Sequence, residues 1–95
     1  MAAYFIADID VTDPEGYKEY AAGAGATVEQ YGGRYLVRGG ATTPLEGDAR
    51  PNRFVVVEFP DMAALRAWYD SEEYRPLRDI RQRYSDAKIF TVEGA

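Results

Sequence analysis

Two segments of this chain alternate as β-strands do, yet neither alternates between apolar and polar. In Arg53–Phe59 (RFVVVEF), Val55, Val57 and Phe59 fall on one side of an extended strand, and Phe54, Val56 and Glu58 on the other. In Tyr4–Val11 (YFIADIDV), Phe5, Ala7, Ile9 and Val11 oppose Tyr4, Ile6 and Asp8. A sheet with one wet face shows a polar set at every second position, whereas these strands are largely apolar on both. Both faces therefore need a cover. Helices of the same chain supply one, and a second sheet about 10 Å away is the natural cover for the other.

The order of elements says which face the helices take. Thr12-Asp13-Pro14-Glu15 is a helix start, with a capping side chain, proline at the first helical position and an acid in the first turn. Tyr17, Tyr20, Ala21, Ala24, Val28 and Tyr31 follow at three- and four-residue steps and make one inward face, ending at Gly32-Gly33. Gly23 and Gly25 each weaken this helix by about 1 kcal/mol relative to alanine, so a close neighbour or a local break is expected there. Arg34–Arg38 (RYLVR) is a second strand, and Gly39–Asn52 a long excursion holding Pro44, Gly47 and Pro51. After Arg53–Phe59, Asp61 caps a helix whose Met62, Leu65, Trp68 and Tyr69 share a face, and Ser71 caps a short turn. Pro76 opens a further helix through Tyr84 with Leu77, Ile80 and Tyr84 inward, and Lys88–Glu93 (KIFTVE) is the last strand.

The resulting order, β-α-β-β-α-(α)-β over residues 1–95 as one domain, is the split βαβ arrangement of the ferredoxin-like fold. That α+β fold carries its helices on one face of a four-stranded antiparallel sheet. Pairing of the bare faces of two copies, giving a homodimeric α+β barrel, is the expected assembly.

Particular motifs carry a resemblance to a known family. Thr12-Asp13-Pro14-Glu15 with Tyr17 and Tyr20, the run Gly32-Gly33-Arg34-Tyr35-Leu36-Val37-Arg38-Gly39-Gly40, then Leu45-Glu46-Gly47 and Pro51-x-Arg53 are the first of them. Val57-Glu58-Phe59-Pro60, Trp68-Tyr69-x-Ser71-x-Glu73-Tyr74 and Val92-Glu93-Gly94 continue it almost to the end. Together they resemble the bacterial family called domain of unknown function 1330, with Glu72 standing where that family's pattern has proline. The resemblance implies a dimeric α+β barrel and no established activity. The wider superfamily holds small cofactor-free oxygenases, isomerases and haem-handling proteins, a kinship that is analogy only.

Composition narrows the chemistry. Cysteine and histidine are both absent, which excludes disulfides, thiolate catalysis, Cys-type zinc sites, histidine ligation and the ordinary neutral-pH base. Proton transfer is left to carboxylates, tyrosines or the two lysines, Lys18 and Lys88. A net charge of −5 argues against nucleic acid as a partner. No apolar run approaches the roughly 20 residues that span a bilayer, and Met1-Ala2-Ala3-Tyr4 has no basic leader, so a cytoplasmic place is the expectation. Asp8, Asp10 and Asp13 make a poor cation site, because Asp13 is needed at the helix start; no metal and no cofactor is expected.

On strand parity, Asp8, Arg38 and Glu58 fall on the face away from the helices, with Arg38 on the side of Leu36. This set is a candidate barrel pocket. Arg38 would grip a carboxylate, enolate or phenolate oxygen with its planar fork, and Glu58 or Asp8 would act as general base. Tyr17 and Tyr20 would line the mouth, and Thr91 shares a strand face with Ile89. The same charges also fit a purely structural role, in which Glu58, Arg38 and Arg53 pair to fix strand register or a dimer interface. The residues therefore suit a small oxygenated or acidic metabolite, handled by a cofactor-free isomerase or oxygenase-like enzyme, and equally a non-catalytic binding or structural homodimer. Arg75, Arg78, Arg81 and Arg83 are expected on a solvated helix face.

Overall fold

The first strand, β1 (Ala3–Val11), buries every second residue: Ala3, Phe5, Ala7 and Ile9 lie in the core of the computed structural model, which describes residues 1–95. Helix α1 (Pro14–Gln30) begins where Asp13 caps it, its carboxylate accepting from the Gly16 amide at 3.3 Å, with Pro14 at the first position. It runs unbroken through both interior glycines. A Cβ on Gly23 would stand 3.0 Å from Leu77 Cδ2, so this glycine admits a side chain of the third helix rather than another backbone. Gly32, at φ 82°, takes the left-handed turn that leads into β2 (Arg34–Arg38).

Strand β3 (Arg53–Phe59) buries Val55, Val57 and Phe59. Helix α2 (Met62–Tyr69) starts at Asp61, which accepts from the Ala64 amide at 2.8 Å, and buries Leu65 and Trp68. Ser71 closes the following turn as expected, donating to the Trp68 carbonyl at 2.7 Å and accepting from the Tyr74 amide at 3.1 Å. Helix α3 (Arg75–Tyr84) passes directly into β4 (Ser85–Glu93), so the last strand starts three residues before the expected Lys88.

The four strands form one antiparallel sheet in the order β2-β3-β1-β4, the ferredoxin-like arrangement. All three helices lie on the Phe5/Val57 face. Around Trp68 the core is aromatic: its ring stands 4.2 Å from Tyr74, 5.0 Å from Phe5 and 5.2 Å from Phe59 between centroids, and its Nε1 donates to Thr27 Oγ1 at 3.1 Å. No helix is long and apolar enough to cross a membrane.

The opposite face of the sheet has no cover within the chain, and the molecule is a slab of 36 × 35 × 16 Å. Register sorts that face into rows. Val37, Val56, Ile6 and Phe90 form an apolar row across all four strands, with Phe90 60% exposed. On one side of it lie Arg34, Glu58, Tyr4 and Val92, and on the other Phe54, Asp8 and Lys88. The excursion from Gly40 to Asn52 forms no helix or strand, and Leu45 within it is 94% exposed.

Candidate functional site

Strand β2 decides where the candidate charges go. Arg34 pairs with Glu58 and Tyr35 with Val57, but the next partner of Val56 is Val37, so Leu36 is absorbed in a bulge. One extra residue in a strand reverses the side that every later residue faces. Arg38 therefore pairs with Val55 and lies on the helix side of the sheet, not with Asp8 and Glu58 as parity alone predicts. The expected constellation of Asp8, Arg38 and Glu58 is split between two faces.

Glu58 stays on the open face in a closed network. Arg34 Nε donates to Glu58 Oε1 at 2.8 Å and Tyr4 Oη donates to Glu58 Oε2 at 3.2 Å. The ion-pair partner of Glu58 is thus Arg34, and neither Arg38 nor Arg53 pairs with it. Asp8, also on the open face, accepts from the Asn52 amide at 2.9 Å and ties down the end of the excursion. Thr91 falls at the far edge of the sheet, where it lines a shallow groove with Phe5, Leu65, Tyr69 and Ile89.

Tyr17 and Tyr20 do meet Arg38. They come down from α1 onto a cleft between that helix and the sheet, of about 380 Å³ counting its open mouth. Phe5, Val57 and Trp68 are among its apolar residues, and Tyr35, Arg38 and Arg53 supply polar groups. About 20 Å³ is enclosed at present, room for one water. The Arg38 guanidinium stacks 4.3 Å from the Tyr35 ring centroid and donates to the Ala21 carbonyl at 3.1 Å. No carboxylate lies within ion-pairing distance of Arg38 or Arg53.

The tyrosines of the cleft are held protonated. Burial pushes Tyr17 and Tyr35 above their usual range, with Arg53 and Arg38 respectively pulling back most strongly. Tyr20 is pushed up furthest, by burial first and by the neighbouring Tyr74 hydroxyl second. The groups that act on these three are arginines and other tyrosines, with no acid among them. The cleft is therefore an aromatic-walled space that presents hydrogen-bond donors and positive charge, suited to an oxygen acceptor or an anion.

Arg53, Tyr35 and Arg81 complete this environment and were not among the leading sequence candidates. The parity of β3 already puts Arg53 on the side of Val55, whereas the bulge hides the side taken by Tyr35. Arg81 corrects the expectation of a solvated basic face: it is 3% exposed, because it stands four residues after Leu77 and three before Tyr84, within the inward stripe of α3.

The family model described as Domain of unknown function (DUF1330) matches residues 2–95. Among curated proteins, none matches the chain. Among solved structures, a protein of unknown function from Rhodopseudomonas palustris is similar at TM-score 0.77 and 19% identity, covering 99% of this chain and 82% of that one. A dimeric ferredoxin-like protein of unknown function from Jannaschia sp. CCS1 is similar at TM-score 0.73 and 12% identity, over 99% of this chain and 100% of that one. SnoaB, a cofactor-independent oxygenase from Streptomyces nogalater, is similar at TM-score 0.68 and 16% identity, over 99% and 93%. At these identities the likeness bears on the fold alone.

Proposed function

Since the chain belongs to the DUF1330 family, whose description assigns no activity, we propose its function from the cleft itself: a homodimer that binds a small, planar, oxygen-bearing acid between α1 and the sheet of each protomer. The observation that carries this reading is the pair Arg38 and Arg53, two guanidinium groups on an apolar cleft, without a carboxylate partner in a chain of net charge −5. In so acidic a chain, two unpaired arginines beside aromatic walls fit a ligand that brings its own negative charge. Entry of anything larger than water requires the exposed Arg38 side chain to swing off Tyr35, exchanging one planar stacking partner for another.

A Streptomyces nogalater protein of similar fold is described as a cofactor-independent oxygenase, and an oxygenase-like reaction is accordingly the chemistry proposed for the bound acid. One feature of the cleft favours a second reading, non-catalytic binding of the same ligand class: no carboxylate or imidazole lines it to take a proton. Glu58 and Asp8 act, in this proposal, at the dimer interface rather than as catalytic bases, and Thr91 lies outside the ligand site.

The bare sheet face supports the homodimer. The accessible surface of the whole chain, 5934 Å², exceeds the about 5,500 Å² usual for a monomer of 10.6 kDa. The apolar row from Val37 to Phe90 is flanked by charged rows, the anatomy of an interface core with a polar rim. The Jannaschia neighbour is described as dimeric.

Calorimetric titration with a panel of aromatic and enolic acids tests the ligand reading. Saturable binding that falls at least tenfold in Arg38→Ala/Arg53→Ala, with Glu58→Gln unchanged, is the expected result. Binding lost in Glu58→Gln and kept in the double variant would refute it.

A further inference from the structure

Arg81 is a charged side chain inside the core. No carboxylate lies within ion-pairing distance, and its Nη2 has no hydrogen-bond partner. A buried guanidinium without a counter-ion is costly, so its surroundings have to stabilise the charge in another way. Those surroundings are hydroxyls. Arg81 Nε donates to Tyr74 Oη over a long 3.5 Å, and Tyr74 Oη stands 2.8 Å from Tyr20 Oη. Tyr20 lines the cleft; Tyr74 does not, and is wholly buried.

Counting protons gives this chain a direction. Arginine only donates, so Tyr74 Oη is the acceptor at that link. The Tyr74 proton has one acceptor within reach, Tyr20 Oη. If Tyr20 were the donor instead, the Tyr74 proton would be stranded where no water reaches it, which costs about 1–3 kcal/mol. Tyr74 therefore donates to Tyr20, and the Tyr20 proton is left without an acceptor in the protein. A cation at the head of such a chain strengthens each donor after it.

On the cleft side the groups that face this set are all neutral or positive. Helix α1 brings Tyr17 and Tyr20, β2 brings Tyr35 and Arg38, β3 brings Arg53, α2 and the turn after it bring Tyr69 and Tyr74, and α3 brings Arg81. On the far side of Arg81, β4 brings Ser85 and Asp86 to a groove they share with it, with Asp86 beyond ion-pairing distance. We propose that Arg81 is a positioning residue which, through Tyr74, aims the Tyr20 hydroxyl as a donor to an oxyanion in the cleft, so that the site prefers the ionised form of a phenol or enol to its neutral form. The inference rests on the cleft being the ligand site.

The test uses 4-nitrophenol, whose ionisation is read from its own absorbance, titrated with pH in the presence of saturating protein. In the wild-type protein the ionisation midpoint of the bound probe is expected about one unit below that of the free probe, a tenfold preference for the phenolate. Tyr74→Phe should return the midpoint toward the free value while the probe stays bound. Arg81→Met should do the same. Tyr74→Phe keeps the ring that packs on Trp68, so it carries the test if Arg81→Met fails to fold. An unshifted wild-type midpoint, or a wild-type shift that survives Tyr74→Phe, overturns the proposal. Absence of saturable probe binding to the wild-type protein overturns the use of the cleft for this ligand class, and the proposal with it.

Discussion

In the proposed dimer, Phe90 is the side chain on which pairing of the open sheet faces would depend most. It is 60% exposed, and it ends the apolar row Val37–Val56–Ile6–Phe90 on β4. A phenylalanine offers on the order of 200 Å², so about 120 Å² of it is free to be covered. At about 25 cal/mol per Å² this amounts to about 3 kcal/mol in each protomer, and a twofold dimer counts it twice. Phe90→Ala retains part of that area and adds no charge, leaving a loss of about 4 kcal/mol per dimer, or roughly a thousandfold in the dissociation constant. The protomer itself should hardly notice, since Phe90 is outside the buried core. Sedimentation equilibrium over a range of loading concentrations, with circular dichroism as the control on folding, reads both quantities. A dimer as tight as wild type, or a wild-type protein that is monomeric at tens of micromolar, would refute the reasoning.

Two further outcomes follow from the core. A Cβ on Gly33 would lie 2.6 Å from Phe59 Cε1 and 2.9 Å from Val28 Cγ1, so Gly33→Ala should cost about 1–3 kcal/mol and lower the thermal midpoint by several degrees. Gly40→Ala, with nothing near its Cβ, is the matched control and should leave the midpoint almost unchanged; equal midpoints for the two would contradict this packing. Stability should also fall in alkali. Tyr17, Tyr20 and Tyr35 are raised above 10.0, chiefly by burial. The folded chain thus keeps protons that the unfolded chain has already released. Their contribution is complete below about pH 10 and is lost as pH rises through the folded values. Thermal midpoints across that range check it, and a flat or rising curve would contradict it.

Most of the fold was legible because its signals are local. Asp13-Pro14 and Asp61 mark helix starts by chemistry that neighbouring residues satisfy, and the parity of β1 and β3 survives in the structure without a shift. The site was less legible because it hangs on one backbone event. The bulge at Leu36 carries no signal in RYLVR, yet it moves Arg38 from the open face to the cleft and separates it from Glu58. Arg81 was hidden for a different reason. An arginine among arginines reads as surface, and only its place in the Leu77/Ile80/Tyr84 stripe points inward. Tyr17 and Tyr20 were expected at the mouth of a pocket on the open sheet face, whereas they lie on the helix-side cleft; which charges lie beside them depends on packing between β2 and α1, which no single segment encodes.

Native mass spectrometry of the protein as purified, beside its Arg38→Ala/Arg53→Ala and Glu58→Gln variants, tests most directly the claim that the helix-side cleft is the ligand site. The expected result is a dimer carrying one small acid per protomer in the wild-type and Glu58→Gln proteins, and an empty dimer in the double-arginine variant. A ligand that persists without the two arginines, or that disappears with Glu58, would place the site on the open face of the sheet and contradict the account.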